Sequence, residues 1–415
     1  MRLHTALALL MTLLPCAAAS AGDPVATVDA RLARYTGDDV PGAALLVVKD
    51  GEPVLRRTVG LADVDAGTPV TPATNFRLAS VSKQFTAASV LLLAQDGRLR
   101  LDDPVRRWLP ALPASANGVT LHHLLSHTSG LPDYEDLMAA DFADQVRDAD
   151  VLCLLAGGTP CAADGRGGDG EGGSAGETGA ADANTDARTA AFAADAASKP
   201  AAAQAADAEG RAAPTGQPFF APGSAYRYSN TGYALLALVV EKASGRRYPE
   251  FLRERIFAPL GMDGSVAFVD GSNEVPDRAY GHSADGDSWR RTDQSTTSAV
   301  LGDGGIYSSI DDLARWDAAL SDDRLLTDAS RALAFAAHTT TPTGEADVDA
   351  YGYGWRLDGQ GLQWHSGETI GFRNVILRWP AQGLTVVLLT NRNDPEPYTD
   401  ARAIGEAFLR GAATR

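Results

Sequence analysis

The sequence predicts one large α+β domain. Its antiparallel sheet is built from both ends of the chain and flanked by helices, and an all-helical lobe is inserted between them. Three observations predict this arrangement: strand patterns near the N-terminus, strand patterns before the C-terminus, and helical periodicity between them. The chain has 415 residues, 45% of them hydrophobic, which is enough for a substantial core. That length suits one two-lobed domain or two domains, and we assign residues 22–415 to a single domain.

The first predicted elements are a hairpin and two helices. Residues 42–60, GAALLVVKDGEPVLRRTVG, contain two strand-like runs joined by a turn at Asp50–Gly51. Helical periodicity follows in SVSKQFTAASVLLLAQDG, and Gly97 is its stop signal. A second helix is predicted in TLHHLLSH, with Thr120 as its N-cap, and it ends before the turn residues TSGLPDY.

The second half of the chain returns from helices to strands. A loop and then a helix that ends at Gly245 are predicted in FFAPGSAYRYSNTGYALLALVVEKASG. A capping box is predicted at Ser309–Asp312, at the start of the helix LARWDAAL. Four strands are predicted in YGYGWRL, LQWHSG, FRNVILRWP and LTVVLLTNR, with turns at Gly359–Gly361 and Pro380–Gly383. A final helix is expected at residues 399–410.

Two segments differ from this pattern. Residues 1–21 combine a weakly basic start, an apolar run and small residues, which predicts a cleaved signal peptide and a secreted or periplasmic location. Residues 157–216 are mostly Gly, Ala, Asp and Ser, and we expect a disordered insertion because almost no large apolar side chain is present. Removal of the signal peptide would leave two cysteines, Cys153 and Cys161. The sequence does not decide whether they form a disulfide or stay as free thiols.

Charge and hydropathy limit the kinds of partner. The net charge of −17 argues against nucleic acid, because phosphate backbones are bound by clustered Lys and Arg. The N-terminal apolar run is too short to span a membrane. We therefore expect a small-molecule or peptide substrate, and the oligomeric state is left open.

Lysine is rare in this chain, and one of its four lysines follows a serine by three residues. Ser80 and Lys83 stand near the start of a predicted helix, where the amine can reach the hydroxyl. Positive partial charge at a helix N-terminus disfavours a protonated amine and lowers its pKa. A neutral Lys83 could take the proton from Ser80, and nearby backbone N–H groups could receive the oxyanion of an acyl transfer. The pair alone is a weak signal, because S-x-x-K also arises by chance.

Two further motifs follow downstream. Y-S-N at Tyr228–Asn230 opens a helix after a Pro-Gly loop, and H-S-G at His365–Gly367 ends a predicted strand. In this order and spacing, the three motifs resemble those of the serine β-lactamase and penicillin-binding-protein superfamily, specifically the class C β-lactamase-like serine hydrolases. The segments LHHLLSHTSGLPDY, IFAPLGM, GGIYSSIDDLARW and HSGETIGF are similar to that family's connecting segments. The resemblance covers about residues 29–409 except the insertion and implies a serine β-lactamase-like fold.

The resemblance also implies catalytic roles. Ser80 is the expected nucleophile, and Lys83 is expected to assist its deprotonation. Tyr228 matches the tyrosine that passes protons to the leaving group and activates the deacylating water. No metal or cofactor is implied.

The residues expected to bind substrate are Asn230, His365, Ser366, Gly367 and Glu368. Asn230 would hold the substrate amide and the lysine. The backbone N–H groups of Ser80 and Glu368 would form the oxyanion hole. Many β-lactamases have a lysine at the position of His365, and a mostly neutral histidine is expected to bind a carboxylate more weakly and with pH dependence.

These observations predict a serine hydrolase that acts on an ester, a D-amino-acid-containing peptide or a β-lactam, in that order of preference. One alternative is a D-alanyl-D-alanine carboxypeptidase of cell-wall peptides. The other is a non-catalytic, penicillin-binding-like sensing module, which is disfavoured because the serine, lysine and tyrosine are all present.

Other motifs were set aside. GGSAG at Gly172–Gly176 lacks the strand and helix that a G-x-S-x-G nucleophile elbow needs. His123 and His127 have the spacing of zinc ligands, but Leu124 replaces the glutamate of H-E-x-x-H, so we expect them to hold the following turn through hydrogen bonds. Core packing is favoured over a place in a substrate cleft for Trp289, Trp355 and Trp364.

Overall fold

Both ends of the chain contribute strands to one antiparallel sheet in the computed structural model, which describes residues 23–139, 141–158, 217–342 and 347–413. Within these residues the sheet has eight strands, in spatial order β10 (Thr339–Thr340), β11 (Ala350–Tyr351), β12 (Arg356–Leu357), β13 (Gln363–Thr369), β14 (Phe372–Trp379), β15 (Leu384–Thr390), β1 (Ala43–Lys49) and β2 (Glu52–Val59). Shorter strands form small peripheral sheets: β3 (Leu61–Asp63), β4 (Thr68–Pro69), β5 (Phe76–Arg77), β6 (Val266–Ala267), β7 (His282–Asp285), β8 (Ser288–Arg291) and β9 (Ile306–Ser308).

Helices cover both faces of this sheet. They are α1 (Pro24–Leu32), α2 (Lys83–Gln95), α3 (Val105–Trp108), α4 (Leu121–Leu125), α5 (Tyr134–Leu137), α6 (Asp148–Leu155), α7 (Asn230–Ser244), α8 (Tyr248–Leu252), α9 (Ala258–Leu260), α10 (Leu301–Gly304), α11 (Ile310–Ala319), α12 (Asp328–Ala334) and α13 (Tyr398–Ala413). A π-helical turn, Arg253–Phe257, joins α8 to α9. Single 3₁₀ turns occur at Ala33–Tyr35, Ala79–Ser82, Ala114–Ala116 and Pro380–Gln382.

The predicted N-terminal hairpin is present as β1 and β2. Lys49 pairs with Glu52 across the turn. Asp50 and Gly51 both have positive φ, 52° and 82°, the backbone that a tight two-residue hairpin turn favours. Because β1 also pairs with β15, this hairpin joins the N-terminal strands to the C-terminal ones.

The central strand β1 is buried on both faces of the sheet. One set of its side chains packs into the core shared with the helical lobe, namely Ala44, Leu46 and Val48. The alternate set packs into the core beneath α1 and α13, namely Ala43, Leu45 and Val47. Successive side chains point to opposite faces of a sheet, so a strand covered on both sides is apolar at every position.

Helix α2 occupies the interior between sheet and lobe. Its residues from Lys83 to Leu93 are all buried, as expected for a helix that is apolar all round. The helix starts directly from the 3₁₀ turn that carries Ser80, and Gly97, with φ of +67°, follows its end. The fold therefore places the predicted nucleophile at the junction of sheet and lobe.

One predicted strand was wrong in detail, and one short strand was missed. YGYGWRL forms two short strands, β11 and β12, because Gly354 turns the chain between them; a Cβ on Gly354 would lie 3.0 Å from the backbone of Gln84. The short outer strand β10 was not predicted.

The predicted capping box is only half formed. Ser309 caps α11 through its hydroxyl, which accepts from the Asp312 N–H at 3.2 Å. The Asp312 carboxylate instead accepts from Gly264 N at 3.1 Å and Ser265 Oγ at 2.8 Å, so it ties the helix start to a neighbouring loop.

Several predictions fall outside the described residues. These are the signal peptide at residues 1–21, the GGSAG motif, and all but the first two residues of the insertion at 157–216. Cys153 is disulfide-bonded, and its expected partner Cys161 lies outside the described residues. Among the described residues, none of the helices has both the length and the apolar character that crossing a bilayer needs.

Candidate active site

Ser80 lies in a strained turn and is partly exposed. Ala79 has a φ of +48°, in the left-handed region that costs a non-glycine residue about 1–2 kcal/mol. Such strain persists only where the surrounding structure fixes the backbone. Ser80 is half-buried between the buried residues Ala79 and Val81, so the turn exposes this residue selectively.

Hydrogen bonds from neighbouring strands and buried side chains fix the residues that precede Ser80. The Asn374 amide on β14 donates to the Arg77 carbonyl at 2.8 Å, and Asn374 is 0% exposed. The Arg77 guanidinium donates to the hydroxyl and the carbonyl of Ser298 at 2.5 and 3.0 Å. Leu78 N–H donates to the Ile306 carbonyl at 2.8 Å. The conformation before Ser80 therefore depends on β14 and β9, far away in sequence.

Lys83 lies fully buried beside Ser80. Its Nζ donates to Ser80 Oγ at 2.9 Å, to Asn230 Oδ1 at 2.8 Å and to the Asp303 carbonyl at 3.1 Å. These three contacts match the three N–H bonds of an ammonium group. Once that group gives up a proton, the contact with Ser80 can reverse, and the hydroxyl then donates to the amine and becomes a better nucleophile.

Asn230 opens α7 and connects Lys83 to two acidic residues. Its Nδ2 donates to Glu135 Oε1 at 3.0 Å, and its backbone N–H donates to Asp133 Oδ2 at 2.6 Å. Because a carboxylate only accepts and an ammonium only donates, these partners fix which way the amide faces. The second motif is therefore oriented by the segment that begins α5.

Two buried carboxyl groups balance the lysine. Burial raises the pKa of Asp303 to about 6, and the charge of Lys83 opposes this rise. Burial likewise raises the pKa of Asp133, while the backbone N–H groups of Asn230 and Glu135 lower it. A buried ammonium needs such partners, since desolvation of an isolated charge is costly.

Tyr228 lies in the loop before α7, beside Lys83. Lys83 Nζ lies 4.9 Å from the centroid of its ring. The ring of His127 packs against it, with centroids 4.3 Å apart. Tyr228 packs against these neighbours and is half-buried, so part of its side chain stays exposed.

Strand β13 runs close beside the Ser80 turn. A Cβ on Gly367 would lie 2.0 Å from the Leu78 carbonyl oxygen and 3.2 Å from Val81 N, so only glycine fits there. Glu368 follows on the exposed end of this strand. The oxyanion hole formed by the N–H groups of Ser80 and Glu368 stays a prediction, which this close approach supports.

His365 is fully buried in the strand, and both of its ring nitrogens are hydrogen-bonded to neighbouring residues. Its Nδ1 donates to the Ser366 carbonyl at 2.6 Å, and its Nε2 accepts from the Tyr351 hydroxyl at 3.0 Å. Burial, with the positive charges of Arg356 and Lys83, holds the pKa of His365 well below its ordinary value. We therefore expect a neutral imidazole that fixes Tyr351 and the strand, with little part in pH-dependent carboxylate binding.

Arg356 brings a fixed positive charge to the site. It lies on β12, where its Nη1 is 3.4 Å from Ser366 Oγ and its guanidinium carbon is 5.8 Å from the centroid of the Tyr228 ring. The guanidinium also packs over Trp364 at 4.9 Å. Guanidinium stays protonated at every relevant pH and matches the two oxygens of a carboxylate.

Comparison with known proteins identifies the family. The sequence model of the Beta-lactamase family matches residues 27–409. This chain belongs to the Beta-lactamase family. It is 29% identical over 374 residues to a penicillin-binding protein of Bacillus subtilis (strain 168), covering 86% of this chain and 69% of that relative. It is 26% identical over 391 residues to a D-aminopeptidase of Gluconobacter oxydans (strain 621H), covering 92% of this chain and 61% of that protein.

Solved structures of the same fold agree with this assignment. The octameric penicillin-binding protein homologue from Pyrococcus abyssi matches with a TM-score of 0.65 and 26% identity, over 94% of this chain and 77% of that one. The D-amino acid amidase from Ochrobactrum anthropi SV3 matches with a TM-score of 0.68 and 21% identity, over 94% of this chain and 100% of that one. The predicted fold class is confirmed, and the chain is a serine hydrolase of the Beta-lactamase family.

The structure brings the three predicted motifs of this Beta-lactamase family member together. It also shows neighbours that sequence reasoning missed, among them Arg356 and Asn374. A signal existed for Asn374, which is a polar residue between Phe372 and Ile376 on the face that alternation assigns to the lobe. No local pattern marked Arg356, because its place depends on how short strands pair at the sheet edge.

The motifs set aside behave largely as expected. His123 Nδ1 accepts from Thr120 N at 3.2 Å, and His127 Nδ1 accepts from Ser229 N at 3.2 Å, so both histidines do hold turns. Trp355 and Trp364 are buried, as predicted. The core-packing prediction is wrong for Trp289, which is half-buried on the peripheral strand β8 with the Arg392 guanidinium 4.4 Å from its ring. In the part of the chain that the structure describes, no group of three or more His, Cys, Asp or Glu side chains is placed to hold a metal ion.

Proposed function

We propose that this protein cleaves D-amino-acid-containing peptides through an acyl-enzyme on Ser80, and that it recognises a free carboxylate on the substrate through Arg356. The contact geometry of Lys83 carries the proposal. Its Nζ reaches Ser80 Oγ and Asn230 Oδ1 at 2.9 and 2.8 Å, which joins the first two motifs at one atom.

The reaction has two halves. In the first, Ser80 Oγ attacks the scissile carbonyl while its proton passes to the Lys83 amine, and the oxyanion meets the N–H groups of Ser80 and Glu368. The bond to the leaving amine then breaks, and the Tyr228 hydroxyl supplies the proton that the amine needs. In the second half, the Tyr228 phenolate takes a proton from water, and the hydroxide attacks the acyl carbon. The bond between the acyl carbon and Ser80 Oγ then breaks, and Lys83 returns its proton to Oγ.

Arg356 supports a substrate with a carboxylate. Its guanidinium is near both the Tyr228 ring and the Ser366 hydroxyl, so a substrate carboxylate bound beside β13 would meet a permanent cation there. This charge substitutes for the lysine that His365 replaces. A simple neutral ester has no group to use this cation, so we place peptides with a free C-terminus ahead of esters.

A second candidate is removal of an N-terminal D-amino acid. Glu135, half-buried and bonded to the Asn230 amide, brings a negative charge that would attract a substrate ammonium. One relative is named a D-aminopeptidase and one solved structure a D-amino acid amidase. β-Lactams and simple esters remain as further substrates to test.

We also propose that the protein is exported from the cytoplasm. The apolar, small-residue composition of residues 1–21 supports export to the periplasm or the medium. Fractionation of cells that express the full chain tests this: the mature protein is expected outside the cytoplasm with residues 1–21 removed. Full-length protein in the cytoplasm alone would contradict export.

The substrate proposal is tested with a panel of four D-alanyl-D-alanine peptides, in which each end is either free or blocked by acetylation or amidation. A carboxypeptidase needs the free carboxylate, whereas an aminopeptidase needs the free amine. Arg356→Gln is expected to raise KM about 10- to 100-fold for carboxylate substrates and to leave the amidated ones unchanged, because a hydrogen-bonded ion pair is worth about 1.5–3 kcal/mol.

Ser80→Ala is the blank for this panel, and intact-mass detection of an acyl adduct identifies the nucleophile. Equal turnover by Ser80→Ala would overturn the acyl-enzyme assignment. Equal KM effects of Arg356→Gln on free and amidated peptides would remove the carboxylate role while leaving the nucleophile in place.

A further inference from the structure

His127 has no part in the reaction scheme, but it contacts Tyr228 and both of its sequence neighbours. Arg227 N–H, on one side of the tyrosine, donates to the His127 carbonyl at 3.0 Å. Ser229 N–H, on the other side, donates to His127 Nδ1 at 3.2 Å. The imidazole ring itself lies on the Tyr228 ring, with centroids 4.3 Å apart and planes tilted by 36°. A single residue therefore fixes the backbone on both flanks of Tyr228 and one face of its ring.

The backbone of His127 is itself strained. It follows α4 with φ of +57°, a conformation in which glycine or asparagine ends most helices without penalty. A histidine there costs about 1–3 kcal/mol and persists where other contacts over-determine it. An observed outlier of this kind points to a role for the side chain that glycine could not fill.

The ring of His127 is locked from its other sides as well. It is 2% exposed, and Tyr351 packs edge-on at 4.6 Å between centroids, with Tyr233 at 5.2 Å. Because Nδ1 accepts a hydrogen bond, the ring proton of the neutral imidazole is on Nε2. Tyr351 in turn bonds His365, so this aromatic group also connects the second motif to β13.

We propose that His127 is the positioning residue for Tyr228: it holds the phenol where it can give a proton to the leaving group and take one from the deacylating water. The inference rests on the acyl-enzyme scheme above and adds a residue to it. His127 does not touch the reacting atoms; it acts through the tyrosine. Misplacement of a reacting group by about 1 Å costs on the order of 100-fold in rate.

The test is a double-mutant cycle on acyl turnover. p-Nitrophenyl acetate is the substrate, because its burst of nitrophenolate reports acylation of Ser80 and its steady state reports deacylation, where Tyr228 activates water. His127→Asn tolerates the positive φ and loses the ring; His127→Phe keeps the ring and loses the Ser229 bond. We expect deacylation to fall about 10- to 100-fold in His127→Asn and clearly less in His127→Phe, with the burst amplitude retained.

Coupling to the tyrosine decides the interpretation. In a Tyr228→Phe background, His127→Asn is expected to change deacylation by less than about 2-fold, because the group it positions is already gone. Equal effects in both backgrounds would overturn the proposal. So would a pH profile in which His127→Phe removes an ionisation, since that would make His127 itself the acid or base.

A structural readout separates this inference from the proposed function. A crystal structure of His127→Asn is expected to show the Tyr228 hydroxyl displaced from Lys83 by about 1 Å or more, whatever the substrate. An unmoved phenol would refute positioning by His127. A wild-type enzyme without any Ser80-dependent burst would instead refute the acyl-enzyme scheme and leave the crystallographic test in force.

Discussion

Gly367 gives the sharpest quantitative prediction in the site. In Gly367→Ala, the new methyl would stand 2.0 Å from the Leu78 carbonyl oxygen, whereas real Cβ contacts essentially never fall below 3.0 Å. The strand and the Ser80 turn must therefore separate by about 1 Å. That separation moves the Glu368 N–H away from the oxyanion, and loss of one such donor costs about 10²–10³ in kcat, or roughly 2.7–4 kcal/mol.

The assay is the Ser80-dependent turnover of p-nitrophenyl acetate, with thermal unfolding measured in parallel. Gly361→Ala is the matched control. Gly361 lies in the turn before β13, with φ of +102° and no atom within 4 Å of a new Cβ. The variant is therefore expected to lose stability through its backbone conformation and to leave the site unchanged. A folded Gly367→Ala enzyme with kcat within about 3-fold of wild type would refute the proposed oxyanion hole.

Three further predictions concern buried groups. Lys83→Arg should reduce kcat by at least about 10³-fold, because guanidinium cannot give up a proton at working pH; an active variant would show that Lys83 is only a positive charge. Asn374→Ala should destabilise the protein by about 1–3 kcal/mol in urea unfolding, because the Arg77 carbonyl loses its partner at 2.8 Å, and unchanged stability would contradict that tie. Burial raises the pKa of Asp148 from 3.8 to about 8, so the folded state keeps a proton that the unfolded chain releases between these values. Stability is therefore lost as pH rises through this window, by up to about 1.4 kcal/mol per pH unit, and Asp148→Asn should flatten the dependence between pH 5 and 8; an equal slope in both proteins would count against this.

Much of the fold was predictable because local patterns and long-range packing agree. Alternation and turn residues predicted the β1–β2 hairpin, and unbroken apolar runs marked the strands that are covered on both faces. Where a local pattern met an unforeseen neighbour, the prediction failed. The approach of Gly354 to α2 splits one expected strand, and a loop at Gly264 captures the carboxylate that was expected to complete the cap of α11.

The site was predictable to the extent that its residues occur in recognisable motifs. S-x-x-K, Y-S-N and H-S-G identified the side chains around Lys83, but no spacing rule describes the groups that tune them. Arg356 and His127 are placed beside Tyr228 by the pairing of short strands and by the backbone of a turn, which are tertiary features. The expectation of a pH-dependent carboxylate contact at His365 also depended on exposure, and burial in the strand changes it.

The bond from Asn374 to Arg77 spans 297 positions of sequence, and it fixes the turn before the serine. During synthesis the ribosome therefore releases Ser80, Lys83, Tyr228 and Asn230 long before the last strands that arrange them. A nascent or truncated chain that ends before β14 carries the complete set of reactive side chains and no organised centre. We therefore expect the enzyme to gain its activity only when its final segment has docked, since that segment supplies the support of the serine turn.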